Sequence, residues 1–149
     1  MKITSASVED EKEIKEVLAA GGLQHQDITP AHLQHFLVLK DEPCATLTGV
    51  VGLEIRGEHA LLRSLAVIES QRSKGLATHL LNEIEKYASS RQVDTLYLLT
   101  LTAERFFAKH GYLKTDRRSA PAAIQETAEF SNLCPATAVC MKKQLSIDS

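Results

Sequence analysis

The sequence lacks the cysteine pattern of a small stapled or metal-bound domain. Its three cysteines, Cys44, Cys134 and Cys140, are odd in number and show no Cys-x-x-Cys spacing. Neither a disulfide framework nor a zinc ribbon is expected, and the thiols read as reduced. An apolar N-terminal run is missing too. The chain goes from Met1-Lys2-Ile3-Thr4-Ser5-Ala6-Ser7 into the acidic Glu9-Asp10-Glu11, without the hydrophobic stretch that a signal peptide or a spanning helix requires. A cytoplasmic location and no membrane partner are therefore expected. Nor is there an excess of positive charge: 17 Lys and Arg are interleaved with 19 Asp and Glu for a net charge of −2. With no broad basic face to neutralise a phosphate backbone, nucleic acid is excluded as a partner. No repeat, linker or low-complexity tract divides the chain. What remains is 149 residues that are 44% apolar, enough for one cored domain over residues 1–149.

The order of expected elements is mixed. Lys2 to Ala6 reads as a strand, and Ser7 as the cap of a helix with Ile14, Val17 and Leu18 on one face, stopped by Gly21-Gly22. Thr29-Pro30 marks a short second helix, because proline suits a first helical turn. Phe36 to Leu39 and Gly49 to Ile55 read as strands separated by the Asp41-Glu42-Pro43 turn, and Arg56-Gly57-Glu58 turns the chain into a strand from His59 to Val67. From Gly75, the spacing of Leu76, Leu80, Ile84 and Ala88 predicts an amphipathic helix to about Arg91, followed by a strand from Val93 to Leu99. That strand, helix and strand imply a parallel crossover. A short helix from Ala103 to His110, closed by Gly111, and a last strand from Ala138 to Met141 complete an α/β (α+β) chain.

Between the strand ending at Val67 and the long helix lies Arg72-Ser73-Lys74-Gly75-Leu76-Ala77. A glycine bend at a helix start lets backbone approach a ligand, and helix N–H groups favour an anion such as pyrophosphate. By itself the hexapeptide is equally consistent with an ordinary glycine turn flanked by solvated basic side chains. In context, Arg72-x-x-Gly75-x-Ala77 after Leu65-Ala66-Val67 resembles the acetyl-CoA signature of the GNAT superfamily. Leu96-Tyr97-Leu98-Leu99 is similar to that family's fifth strand, and Ala103 to Tyr112 to its following helix and Gly-aromatic turn. The resemblance implies the GNAT fold, a mixed twisted sheet of six to seven strands flanked by about four helices. It also implies N-acetyl transfer, with acetyl-CoA as cosubstrate, a small-molecule amine acceptor, no metal, and a homodimer as the assembly to test. On this resemblance the Leu65 and Val67 backbones pair with pantetheine, and Arg72, Ser73, Lys74, Gly75, Leu76 and Ala77 cradle pyrophosphate. Leu62-Arg63-Ser64-Leu65-Ala66-Val67, Leu98-Leu99-Thr100, Thr102-Ala103-Glu104 with Phe106-Phe107, and Ser131 to Ala136 further resemble the arsenic-resistance ArsN group, close to amino-acid acetyltransferases.

Direct transfer needs a neutral amine, a polariser for the thioester carbonyl and a proton source for the thiolate. Many relatives carry a glutamate early in the fourth strand, where this chain has Ala60-Leu61-Leu62. Glu54 is the substitute base, with a solvated strand-end carboxylate as the alternative. The family tyrosine falls at Phe107, so the usual acid is missing. Tyr112 reads as a packing aromatic, and Tyr97 lies on a strand of unassigned facing. Arg63, mid-strand among apolar neighbours, suits a bidentate clamp on an acceptor carboxylate, an outward residue or an internal ion pair. Arg117-Arg118 reads as solvated. His25, His32 and His35 lie where this fold covers its acceptors. Cys134 and Cys140 raise a trivalent-arsenic reading, against which burial of Cys140 as a small hydrophobe is the better one. A CoA-binding regulatory module without catalysis and a protein N-acetyltransferase are the alternatives to a small-molecule enzyme.

Overall fold

A computed structural model describes residues 2–41 and 45–145. The expected Glu42-Pro43 part of the first turn and Cys44 lie outside the described residues. Seven strands form one mixed sheet: β1 Lys2–Ser5, β2 Phe36–Asp41, β3 Thr46–Arg56, β4 His59–Val67, β5 Thr95–Thr100, β6 Leu113–Lys114 and β7 Val139–Gln144, in the order β1-β2-β3-β4-β5-β7-β6. The helices are α1 Glu11–Ala20, α2 Leu76–Ser90, α3 Glu104–Lys109 and α4 Ala122–Gln125, with a π-helical turn at Glu129–Leu133. The GNAT-like α/β architecture expected from the sequence is the one observed.

The chain groups into two compact units, the first comprising Met1–Leu53 and Arg63–Tyr87, the second Glu54–Leu62 and Ala88–Ser149. In the first, α1 begins after a 3-10 turn at Val8–Asp10, and Ser7 N–H donates to Asp10 Oδ2 at 2.9 Å. The apolar face of α1 buries Ile14 and Leu18 against Leu33, Phe36, Val38 and Val50. Thr29-Pro30 opens only a 3-10 turn, His32–His35, before Phe36 becomes extended. β3 starts three residues before the expected Gly49, at Thr46, because a bulge in the pairing lies between Leu39 and Lys40 and the ladder resumes with Lys40 opposite Leu47. That irregularity breaks the alternation from which strand length is read.

In the second unit, β4 and β5 are parallel, pairing His59 with Thr95, Ala60 with Leu96 and Leu61 with Tyr97. β5 starts at Thr95 rather than Val93, since Val93 N–H is spent on Ala88 C=O at the end of α2. Leu61, Tyr97, Ala120, Ile124, Phe130 and Cys140 form this unit's core. The stretch from Leu113 to Thr137, for which the sequence predicts no element, holds β6, α4 and the π-helical turn. Among the described residues, no helix is long and apolar enough to cross a membrane.

Candidate active site

The turn between β4 and α2 is built from backbone of alternating hand. Ser73 and Gly75 are both left-handed, with φ of +68° and +76°, on either side of Lys74. Such alternation turns successive N–H groups to one side and makes an anion-binding concavity. α2 continues it: His79 N–H donates to Gly75 C=O at 3.1 Å, so the amides of Gly75, Leu76 and Ala77 precede the first intrahelical bond. A side chain at Gly75 would meet nothing within 4 Å, so a ligand has open access to this backbone. Ser73, Lys74 and Gly75 are exposed, and Leu76 and Ala77 are half-buried. Lys74 Nζ lies 3.0 Å from Gln71 Oε1. Arg72 Nε donates at 2.9 Å to the carbonyl of Val67, the last residue of β4. Val67 is buried and Leu65 half-buried.

Further back on β4, Arg63 has a side chain with no exposed area, and it meets an internal carboxylate. Its Nη1 donates to Asp27 Oδ2 at 2.5 Å and its Nη2 to Asp27 Oδ1 at 2.8 Å, a bidentate fork. Arg63 Nε donates to Ser64 Oγ at 3.0 Å. Ser64 is left-handed in mid-strand, with φ of +63°, a conformation that costs a residue with a Cβ about 1–3 kcal/mol and re-aims a strand's side chains. Burial alone would raise the Asp27 carboxyl, but the hydrogen bonds and charge of Arg63, with a smaller contribution from His32, outweigh it and hold the group below the usual carboxylate range. Sequence reasoning missed Asp27. The sequence held half of the signal: a mid-strand arginine between apolar residues requires a carboxylate, but no local spacing ties it to Asp27, 36 positions away in the loop between α1 and β2.

Each of the three histidines in that region has a partner at Nδ1. His25 Nδ1 lies 3.1 Å from Leu23 O, and His35 Nδ1 lies 2.6 Å from the Tyr87 hydroxyl. His32 Nδ1 accepts from Thr29 N–H at 3.0 Å, which places its ring proton on Nε2. In the second unit, Glu54 is 5% exposed, and its Oε1 accepts from Arg56 Nη2 at 3.2 Å.

The aromatics are packing residues in this structure. Phe107 is buried edge-on to Phe106 and Tyr112, with ring centres 5.2 and 5.5 Å away. Tyr112 carries Lys143 Nζ 5.5 Å from its ring centre. Tyr97 lies in the core, where burial, with lesser contributions from Cys140 and Asp94, raises its phenol. Burial pushes the Cys140 thiol up to about 11, so near neutral pH it is a protonated hydrophobe rather than a thiolate ligand. Arg117 is not solvated as expected: Nη1 donates to Pro135 O at 2.8 Å, and Nη2 to Phe130 O at 2.6 Å and Cys134 O at 3.2 Å, with the guanidinium over the Phe130 ring. It clasps carbonyls within and beyond the π-helical turn. Arg118 does extend into solvent.

The mixed α/β fold carries, between a parallel strand and a long helix, a backbone concavity of the kind that suits an anion. The chain belongs to the acetyltransferase (GNAT) family, whose pattern matches residues 4–112. No match is found among curated proteins. The fold is similar to N-acetylglutamate synthase from Neisseria gonorrhoeae complexed with coenzyme A and N-acetyl-glutamate (TM-score 0.84, 17% identity, 97% of this chain and 35% of that one). It is also similar to Rv2747 from Mycobacterium tuberculosis in complex with CoA (0.81, 18% identity, 98% and 100%) and to PaiA N-acetyltransferase from Thermoplasma acidophilum in complex with coenzyme A (0.68, 17% identity, 96% and 98%). The chain spans about a third of the synthase. At these identities the likeness is one of fold.

Proposed function

We propose that this chain is an acetyl-CoA-dependent N-acetyltransferase acting by direct transfer in a ternary complex on the amine of a small, amino-acid-like acceptor. The observation that carries the reading is the Ser73–Gly75 nest at the start of α2, open above Gly75, in a chain of the GNAT family. Leu65, Val67 and residues 72–77 hold the cosubstrate, with pyrophosphate on the backbone amides of the turn. The neutral amine attacks the thioester carbon, the C–S bond breaks as the amide forms, and the amine's proton leaves for solvent by way of Glu54. The thiolate takes a proton from water or from the acceptor ammonium, because Phe107 offers no hydroxyl. Arg63 belongs to the acceptor side through its pair with Asp27. The ArsN resemblance places an arsenic-containing amino acid on the list of acceptors, with arsenic as part of the substrate. The raised Cys140 thiol disfavours a thiolate ligand for a metalloid at that residue. A cytoplasmic location, expected from the sequence, and a homodimer form part of the same proposal.

The test is thiol release from acetyl-CoA against amino acids, phosphinothricin-like analogues, an arsenical amino acid and peptides. Turnover with a small amine is expected, and Glu54→Gln should lower kcat about tenfold or more and flatten its rise with pH. Absence of turnover across the panel would overturn the proposal, and peptides as the sole substrates would replace its acceptor class.

A further inference from the structure

The geometry points to Asp27 as a binding site for the acceptor's cationic amine, with Arg63 as its positioning residue rather than as a clamp for an acceptor carboxylate. The inference deepens the acetyltransferase proposal and rests on it for the nature of the ligand. Three observations carry it. The Arg63 side chain is fully buried while that of Asp27 is 15% exposed, so a molecule arriving from solvent meets the carboxylate first. The bidentate face of the guanidinium is filled by both oxygens of Asp27, and its Nε is held by Ser64 Oγ. A substrate carboxylate would have to displace Asp27 and leave that anion part-buried without its partner, which is costly. Finally, Arg63, which holds Asp27 from the loop between α1 and β2, stands on β4 two residues before Leu65, a step of about 7 Å along a strand, where the amine of a small acceptor would lie.

An amine acceptor reaches an enzyme largely as ammonium near neutral pH, since free amines have pKa values of about 8–10. A carboxylate kept ionised and oriented by a buried arginine is complementary to that cation, and a charge-assisted hydrogen bond rewards the match. The left-handed Ser64 fits this role. Its Oγ faces Arg63 Nε, so strained backbone and buried guanidinium together fix the carboxylate.

The experiment is calorimetric titration of the protein saturated with coenzyme A, using three probes of one chain length: 1,5-diaminopentane, glutarate and L-glutamate. The diamine and glutamate should bind, and glutarate should not. Asp27→Asn should weaken the diamine about tenfold or more, the worth of one charged hydrogen bond. Because Asn leaves Arg63 buried beside a neutral partner, the double variant Asp27→Asn/Arg63→Gln removes both charges and should show the same loss. Glutarate binding that disappears in Arg63→Gln would overturn the inference in favour of a carboxylate clamp. Diamine affinity within about twofold of the parent in both variants, or no binding of any probe, would also overturn it. Thiol release measured alongside separates the layers: Asp27-dependent amine binding without turnover removes the transferase proposal and leaves the site, and turnover without Asp27 dependence does the reverse.

Discussion

Gly75→Glu is the sharpest perturbation of the cofactor turn, and its two consequences separate. A side chain at this position enters open space, with nothing within 4 Å of its Cβ, but it must accept a φ of +76°. The fold therefore bears backbone strain of about 1–2 kcal/mol, which lowers Tm by roughly 2–8 °C in a chain of this size. The cofactor bears more. A carboxylate about 5 Å from a pyrophosphate carrying about two charges is disfavoured by about 1.7 kcal/mol with water-like screening and by about 6.6 kcal/mol at an effective dielectric of 20. Even the lower figure raises Kd about fifteenfold. Calorimetric titration with acetyl-CoA should show at least that loss, and part of it should return in Gly75→Asn, which tolerates the left-handed region and carries no charge. Added salt should narrow the gap between the Glu and Asn variants. A Glu variant that binds acetyl-CoA within about twofold of the parent would refute the placement of the pyrophosphate on this backbone.

Three further outcomes test the scaffold around the turn. At Gly52 a Cβ would fall on the ring of buried Phe36, so Gly52→Ala should cost about 1–3 kcal/mol and lower the urea midpoint. Arg117→Ala removes a fork that holds the carbonyls of Phe130, Cys134 and Pro135; a loss of about 2–4 kcal/mol is expected, with incomplete rescue by lysine, whose single ammonium does not span them. Asp10 and Asp27 are both held below the usual carboxylate range, Asp10 by Ser7 and Lys40 against its burial and Asp27 by Arg63 against its own. Their stabilisation is present above the unfolded-state pKa near 4 and is lost as pH falls through the folded values. Unfolding free energy measured in urea from pH 7 down should drop through this range, more steeply in the parent than in Asp27→Asn.

The elements with unbroken period were legible in the sequence, and those shaped by distant partners were not. The apolar spacing of α2 and the Gly75 turn are local, so both emerged close to their final positions. The bulge at Leu39/Lys40 hid the true start of β3, and the closure of α2 on Val93 N–H delayed β5. The stretch from Leu113 to Thr137 has no strong period because it is organised by single side chains. Arg117 holds the carbonyls, and Gln125 Nε2 donates to Ala120 O at 2.7 Å. At the site, the turn could be read from sequence, whereas the partner of Arg63 could not. Asp27 lies 36 positions away, and nothing in local spacing distinguishes it from other loop acids.

Arg72 shows how a side chain identified by charge can serve through geometry. Its charge nominated it for the pyrophosphate, yet its Nε donates to Val67 O. One of its terminal nitrogens comes within 4.0 Å of where a Cβ on Gly21 would stand, at the C-terminal end of α1. A cation is favoured there by the helix dipole. The residue thus fastens the turn to the end of β4. What the position uses here is an N–H that donates to a carbonyl, not a charge. On the proposed placement of the pyrophosphate, the anion affinity of the turn comes chiefly from the amides that Ser73 and Gly75 orient. Their orientation depends in turn on Arg72 holding the strand end against which the left-handed residues are set.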